Sequence, residues 1–187
     1  VLLESYPPGH LDALGIGYQY LSKENPSLIF TSITPFGQTG PYRRFKGNDF
    51  TLGAIGGYTF TEGDPDGVPI TPPHYQSYQL GGVHAAFGTL LALRHFEKTG
   101  TAQQVDVAIH EVISNCQMHI RDYVAQFDIG SRWGGLPGPK GGLYPANNYQ
   151  CKDGWIVLAM TSEQAWIRFA EWSQDSFLTD RRFLTHH

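Results

Sequence analysis

The stretch Ser77–Glu97 constrains this chain more than any other. Leu80, Val83, Phe87, Leu90 and Leu91 recur at helical spacing, and Ala85, Ala86 and Ala92 fill the positions between them. A helix that is apolar nearly all round belongs at the centre of a fold, so other layers are expected to cover it. Lys98-Thr99-Gly100 ends it, with a cation in the last turn and a glycine beyond.

Strand signals lie on both sides of this helix. Val1–Leu3 and Leu28–Ile33 come before it, the second β-branched and bounded by prolines, and Gln104–Ile109 alternates after it. Short helices are expected between Leu11 and Asn25 and at Asp49–Ile55. A second long one is expected at Glu111–Phe127, with Val112, Cys116, Ile120, Tyr123 and Phe127 on one apolar face that places Cys116 in the core. Tyr149–Met160 reads as a hairpin turning at Lys152-Asp153-Gly154. Thr161 with Gln164 three residues on reads as a capping box, opening a helix that buries Trp166, Phe169 and Ala170. Strands alternating with helices make this an α/β protein, whose last third begins a second domain.

Composition narrows the function classes. The 187 residues hold 13 Lys+Arg and 17 Asp+Glu, a net charge of −4, which argues against a general nucleic-acid binder. No apolar run approaches the roughly 18 residues needed for a membrane helix. Two cysteines, Cys116 and Cys151, give no disulfide framework, and a reducing cytosol is the simplest compartment. Val1 in place of Met, and an end without a capping or turn signal, read as a segment of a longer protein.

Three constellations carry chemistry. Arg43-Arg44-Phe45-Lys46 follows a strand and sits beside Gly37 and Gly40. Fixed cations and free backbone amides suit phosphates, and the carboxyl ends of strands are where open α/β sheets take ligands; the alternative is a solvated surface loop. Gly134-Gly135 and Gly141-Gly142 flank Pro137-Gly138-Pro139-Lys140, either a loop over a ligand or an ordinary domain connection. It is not a nucleotide P-loop. The histidines show no metal spacing. His84 and His95 share a helix face but stand about 16 Å apart along the axis, so each reads as a helical histidine with a local hydrogen bond. Asp106 and His110, four apart, have no nucleophile motif beside them. The residues alone thus give an α/β domain suited to a phosphate-bearing ligand.

A longer ordered series is more specific. Leu3-Glu4-Ser5-Tyr6-Pro7-Pro8-Gly9 is followed by Asn25-Pro26-Ser27-Leu28-Ile29 and Gly37-Gln38-Thr39-Gly40-Pro41-Tyr42. Then come Gly56-Gly57, Thr61-Glu62-Gly63, Asp66-Gly67-Val68-Pro69, Lys98-Thr99-Gly100 and Gln104-Val105-Asp106-Val107. Tyr144-Pro145 and Cys151-Lys152-Asp153-Gly154-Trp155 close the series. Together they resemble the family III CoA-transferases, which include formyl-CoA transferase, the carnitine CoA-transferases and α-methylacyl-CoA racemase. The opening segment is similar to the family's V-E-N-F-R-P-G, without its arginine.

The resemblance implies a partial Rossmann-like large domain over residues 1–142 and the start of a small α+β domain over 143–187. The family's first Rossmann strands and much of its C-terminal part would be absent. It implies a homodimer, or a heteromer with an active paralogue. It implies no permanent cofactor and no metal, with coenzyme A or acyl-CoA and a small carboxylic acid as substrates, and no nucleic-acid or membrane partner. Gly37, Gln38, Arg43, Arg44 and Lys46 would contact CoA, and Gly134 and Gly135 would lie in the mobile loop over the thioester.

Transferases of this family attack the thioester carbonyl with an aspartate near the start of the long helix. The thiolate leaves, giving a mixed anhydride, then returns to give an enzyme-bound CoA thioester. An ungapped match places Tyr78 at that aspartate, and no Asp or Glu occurs between Asp66 and Glu97. Two readings of Tyr78 stay open: an enzyme whose acid comes from Asp49, Asp66 or a partner chain, and a catalytically silent CoA-binding subunit. An acyl-serine at Ser77 served by His74 is a further relay to test. The racemase branch uses a histidine in the loop before Asp49, and that position holds Asn48.

Overall fold

The computed structural model describes residues 1–63, 67–116, 147–160 and 162–180. They fall into two units, Val1–Glu62 with Pro69–Gly130 and Gly63–Val68 with Ser131–His187.

The first unit is built on a parallel sheet of three strands, β1 (Leu2–Glu4), β2 (Phe30–Thr34) and β3 (Gln104–Ala108), in the order β1-β2-β3. Leu2 pairs with Phe30, and Phe30 with Gln104, so all three carboxyl ends open on one edge. β2 is central and almost wholly buried, as its β-branched, threonine-rich run requires. Its buried Thr31 hydroxyl is satisfied at 2.8 Å by Thr89, at roughly 1 kcal/mol for such a bond.

Parallel strands need crossovers. α1 (His10–Ala13) and α2 (Tyr18–Glu24) lead from β1 to β2. α3 (Asp49–Ile55), α4 (Tyr58–Thr61) and the long α5 (Gln76–Thr99) lead from β2 to β3. α6 (Ile109–Cys116) follows β3 directly. Phe36, Leu52, Ile109 and Ile113 form one buried cluster, and Ala85, Val107 and Val112 another, joined by Ile33 and Leu80.

α5 is as long as expected but is not covered all round. Its buried positions are Ser77, Gly81, Ala85 and Ala92. Small residues let α5 lie close on its neighbours: a Cβ on Gly81 would come within 2.9 Å of Ile109. Val83, Phe87, Leu90 and Leu91 are left exposed, because a three-stranded sheet and two flanking helices cover only one side. His84 behaves as expected, with its Nδ1 2.9 Å from the Leu80 carbonyl. α6 begins at Ile109, two residues before the expected start, and the reading of residues 117–127 lies outside the described residues. Cys116, expected in the core, is exposed at the end of the described helix.

In the second unit β4 (Asn147–Gln150) pairs antiparallel with β5 (Trp155–Leu158), and the Cys151 amide closes the turn on the Gly154 carbonyl at 2.8 Å. α7 (Glu163–Ser173) buries Trp166 and Ala170, while Phe169 is only half-buried. The cap is Ser162, whose Oγ accepts from the Ala165 amide, one residue past the Thr161 that opens the expected Thr161–Gln164 box; Thr161 lies outside the described residues. Both Ser162 and Thr161 carry capping side chains, and the helix starts one residue later than the motif suggests. Among the described residues no helix is long and apolar enough to cross a membrane.

Candidate functional site

The loop after β2 is fixed at its root. Phe36 is buried, and Gly37 then turns with φ 80° against Asp106 and Ala108 of β3, a conformation that disfavours a side chain. The next amide, of Gln38, donates to both oxygens of Asp106 at 3.1 and 2.9 Å. The Gln38 side chain donates to Glu4 Oε1 at 3.3 Å, and Glu4 Oε2 takes the Tyr6 amide at 2.7 Å. One chain of bonds thus ties the loop to β1 and β3. Reading the sequence missed the role of Asp106 and Glu4 in holding this loop, because their partners lie 68 and 34 residues away.

Farther out, Phe36, Tyr42 and Phe45 pack ring on ring, with centroids 5.4 to 6.2 Å apart. His110 joins them 5.1 Å from Phe36, its amide on the Pro35 carbonyl. Its Nδ1 is buried without a hydrogen-bond partner, and Asp106 is committed to Gln38. An Asp106–His110 relay is therefore not formed.

Within this frame Gln38, Arg43 and Arg44 converge on a cleft of about 390 Å³, together with Glu4, Asp12 and Ser32. The volume is in the range of small-molecule sites. The Arg43 guanidinium makes one long bond, 3.4 Å, to the Gly40 carbonyl. Among the described residues neither arginine pairs with a carboxylate, so both cations are available to an anionic ligand. Gly37 and Lys46 do not line the cleft; Gly37 shapes the turn, and Lys46 is exposed on the outer loop. Gly134 and Gly135 lie outside the described residues, as does Asp66.

The start of α5 is a separate construction. Its N-cap, Tyr75, has φ 54° and gives no side-chain cap, and His74 before it has φ 68°. The missing cap comes from α3. Asp49 Oδ1 accepts the Ser77 amide at 2.8 Å and the Tyr78 amide at 3.4 Å, and Ser77 Oγ donates to the Asp49 carbonyl at 3.0 Å. A carboxylate at a helix N-terminus satisfies amides that would otherwise lack partners. Ser77 is buried and its hydroxyl is used, so the Ser77–His74 relay is excluded as a nucleophile. Tyr78 is 42% exposed and stacks on Tyr75, 70% exposed, at 6.5 Å and 16°. Asn48 caps α3, its side chain accepting the Thr51 amide at 2.9 Å. Beneath, burial first, then Glu62 and Cys116, hold the Tyr58 phenol above its ordinary pKa. No group of three metal-ligating side chains forms among the described residues.

A mixed α/β unit with a parallel sheet is what this chain shares with solved CAIB/BAIF-type proteins. A CAIB/BAIF family protein from Brucella suis superposes with a TM-score of 0.78 at 27% identity, covering 98% of this chain and 48% of that one. Rv3272 from Mycobacterium tuberculosis superposes at 0.79 and 26% identity, over 97% and 47%. The sequence model of CoA-transferase family III matches residues 1–187, and the chain belongs to that family.

Among curated proteins, a subunit of succinyl-CoA:(R)-benzylsuccinate CoA-transferase, BbsE, from Thauera aromatica is 33% identical over 93% of this chain and 42% of its own length. The beta subunit of succinyl-CoA–L-malate CoA-transferase from Chloroflexus aurantiacus is 34% identical over 91% and 42%. The chain thus spans less than half the length of these relatives.

Proposed function

We propose that this chain binds a CoA thioester and serves CoA transfer between carboxylic acids as a subunit that lacks the family's nucleophile. The carrying observation is the start of α5. The residue matched to the nucleophile is Tyr78, and the nearby carboxylate, Asp49, already takes the amides of Ser77 and Tyr78. A phenol is a poor substitute for a carboxylate, because both covalent intermediates are acyl-aspartates. The attacking carboxylate is then supplied by a partner chain. Two of the matched relatives are named as subunits, which supports a heteromer over a homodimer. Their names also make succinyl-CoA the first thioester to try. The uncovered apolar side of α5 supports association of either kind. The racemase alternative loses support, because Asn48 is occupied as a cap where that chemistry needs a base.

In this reading residues 1–142 form the large-domain segment and 143–187 begin the small domain, in a cytosolic protein with Cys116 and Cys151 as free thiols. The nucleotide end of CoA lies along the loop Gly37–Lys46, where Arg43 and Arg44 meet its phosphates and Lys46 adds an outer contact. The family resemblance assigns Gly134 and Gly135 to the thioester end of the ligand. The acyl end lies at the start of α5. Calorimetric titration with CoA tests this. Binding is expected, weakened by roughly 1–3 kcal/mol in Lys46→Ala, the scale of one charge-assisted hydrogen bond. No heat with the unaltered chain contradicts the reading, and equal affinity in the variant removes Lys46 from it.

A further inference from the structure

The start of α5 holds a feature that transfer chemistry does not use. Two successive residues other than glycine, His74 and Tyr75, adopt left-handed backbone. Each such residue costs free energy, and it persists only where its surroundings hold it. Here they do. Asp49 caps the helix, the Gln76 side-chain amide donates to the Pro73 carbonyl at 3.2 Å, and the Gln79 side-chain amide bonds the His74 carbonyl.

The effect of this backbone is to bring Tyr75 beside Tyr78. The rings are nearly parallel and both are exposed, and neither phenol pairs with a charged group among the described residues. Exposed stacked rings present apolar faces to a ligand at small cost in side-chain entropy, since a tyrosine has two side-chain torsions to fix. Aromatic surfaces select aromatic surfaces through area and quadrupole together.

We propose that Tyr75 and Tyr78 form the acyl-selecting platform of this chain, favouring CoA thioesters whose acyl group carries a flat aromatic ring over short aliphatic ones. This rests on the preceding reading, in which the acyl group reaches the start of α5. Tyr78 then has a positive role: the side chain that displaces a nucleophile supplies a contact surface.

The test compares CoA, acetyl-CoA and benzoyl-CoA by calorimetry on the unaltered chain, Tyr75→Leu, Tyr78→Phe and Tyr75→Leu/Tyr78→Leu. The unaltered chain is expected to bind benzoyl-CoA roughly 3- to 10-fold more tightly than acetyl-CoA, the scale of one aromatic pair. Tyr78→Phe keeps that preference. Tyr75→Leu lowers it and the double variant abolishes it, with affinity for CoA itself unchanged in both. The CoA titration doubles as the check that each variant folds. Equal binding of the two thioesters by the unaltered chain overturns the proposal alone, as does a preference that survives in the double variant. Failure of CoA itself to bind overturns the functional reading and this proposal with it.

Discussion

The cleft lined by Gln38, Arg43 and Arg44 and the start of α5 reach a defined geometry by opposite means. The cleft is held by a chain of hydrogen bonds, Glu4 to Gln38 to Asp106, with glycines, Gly9, Gly37 and Gly40, at its positive-φ turns. The start of α5 places His74 and Tyr75 where glycine belongs and borrows its cap from another helix. Removing a ligand-facing side chain from the first costs binding and little stability. Removing a side chain from the second changes stability first, because the backbone there is held against its own preference.

The largest expected effect is on the cleft. Arg43→Ala/Arg44→Ala should lower CoA affinity by roughly 10²- to 10⁴-fold, from two lost charge-assisted bonds, and leave thermal unfolding unchanged because both side chains are exposed. A shift in melting equal to that of a core variant breaks the contrast. Next comes Asp49→Ala, which strips the cap from α5 and should cost roughly 1–2 kcal/mol in denaturant titration. Asp49→Asn, keeping an acceptor oxygen, should cost less. Equal losses in the two variants assign the effect to the charge rather than the bond.

The sign reverses at Tyr75. Tyr75→Gly frees the left-handed position and should stabilise the chain by up to about 1 kcal/mol, while destroying the stacked pair. A destabilised variant means that the ring, and not the backbone, holds the turn. The smallest effect is a pH dependence. Burial, Glu62 and Cys116 raise the Tyr58 pKa, so the folded state keeps that proton after the unfolded chain has lost it. Stability should fall as pH rises above about 10, the ordinary tyrosine value, and Tyr58→Phe should flatten that slope.

The same contrast decides what the sequence made legible. β2, β3, the hairpin β4–β5 and the span of α5 follow from periodicity, glycines and prolines, all local signals. The cationic loop was legible for the same reason, since Arg43 and Arg44 adjoin in the chain. What held the loop was not, because Asp106 reads as a strand residue until its distance to Gln38 is known. Asp49 stood out as an acid within reach of the chemistry, and only the fold shows its carboxylate spent on α5. The central placement of α5 failed for a related reason. Apolar residues all round a helix state that it needs covering, and the covering need not come from the same chain. Cys116 failed likewise, since a shared helical face predicts burial only while a neighbour lies over it.

The central claim is that the chain serves transfer without its own nucleophile. Mass spectrometry of the intact chain after incubation with succinyl-CoA and hydroxylamine tests it most directly, with Tyr78→Asp run in parallel. The account predicts no hydroxamate on the unaltered chain, and in Tyr78→Asp a hydroxamate confined to residue 78, since restoring a carboxylate there restores the acyl-enzyme. A hydroxamate on the unaltered chain, at Asp49 or any other carboxylate, would contradict it.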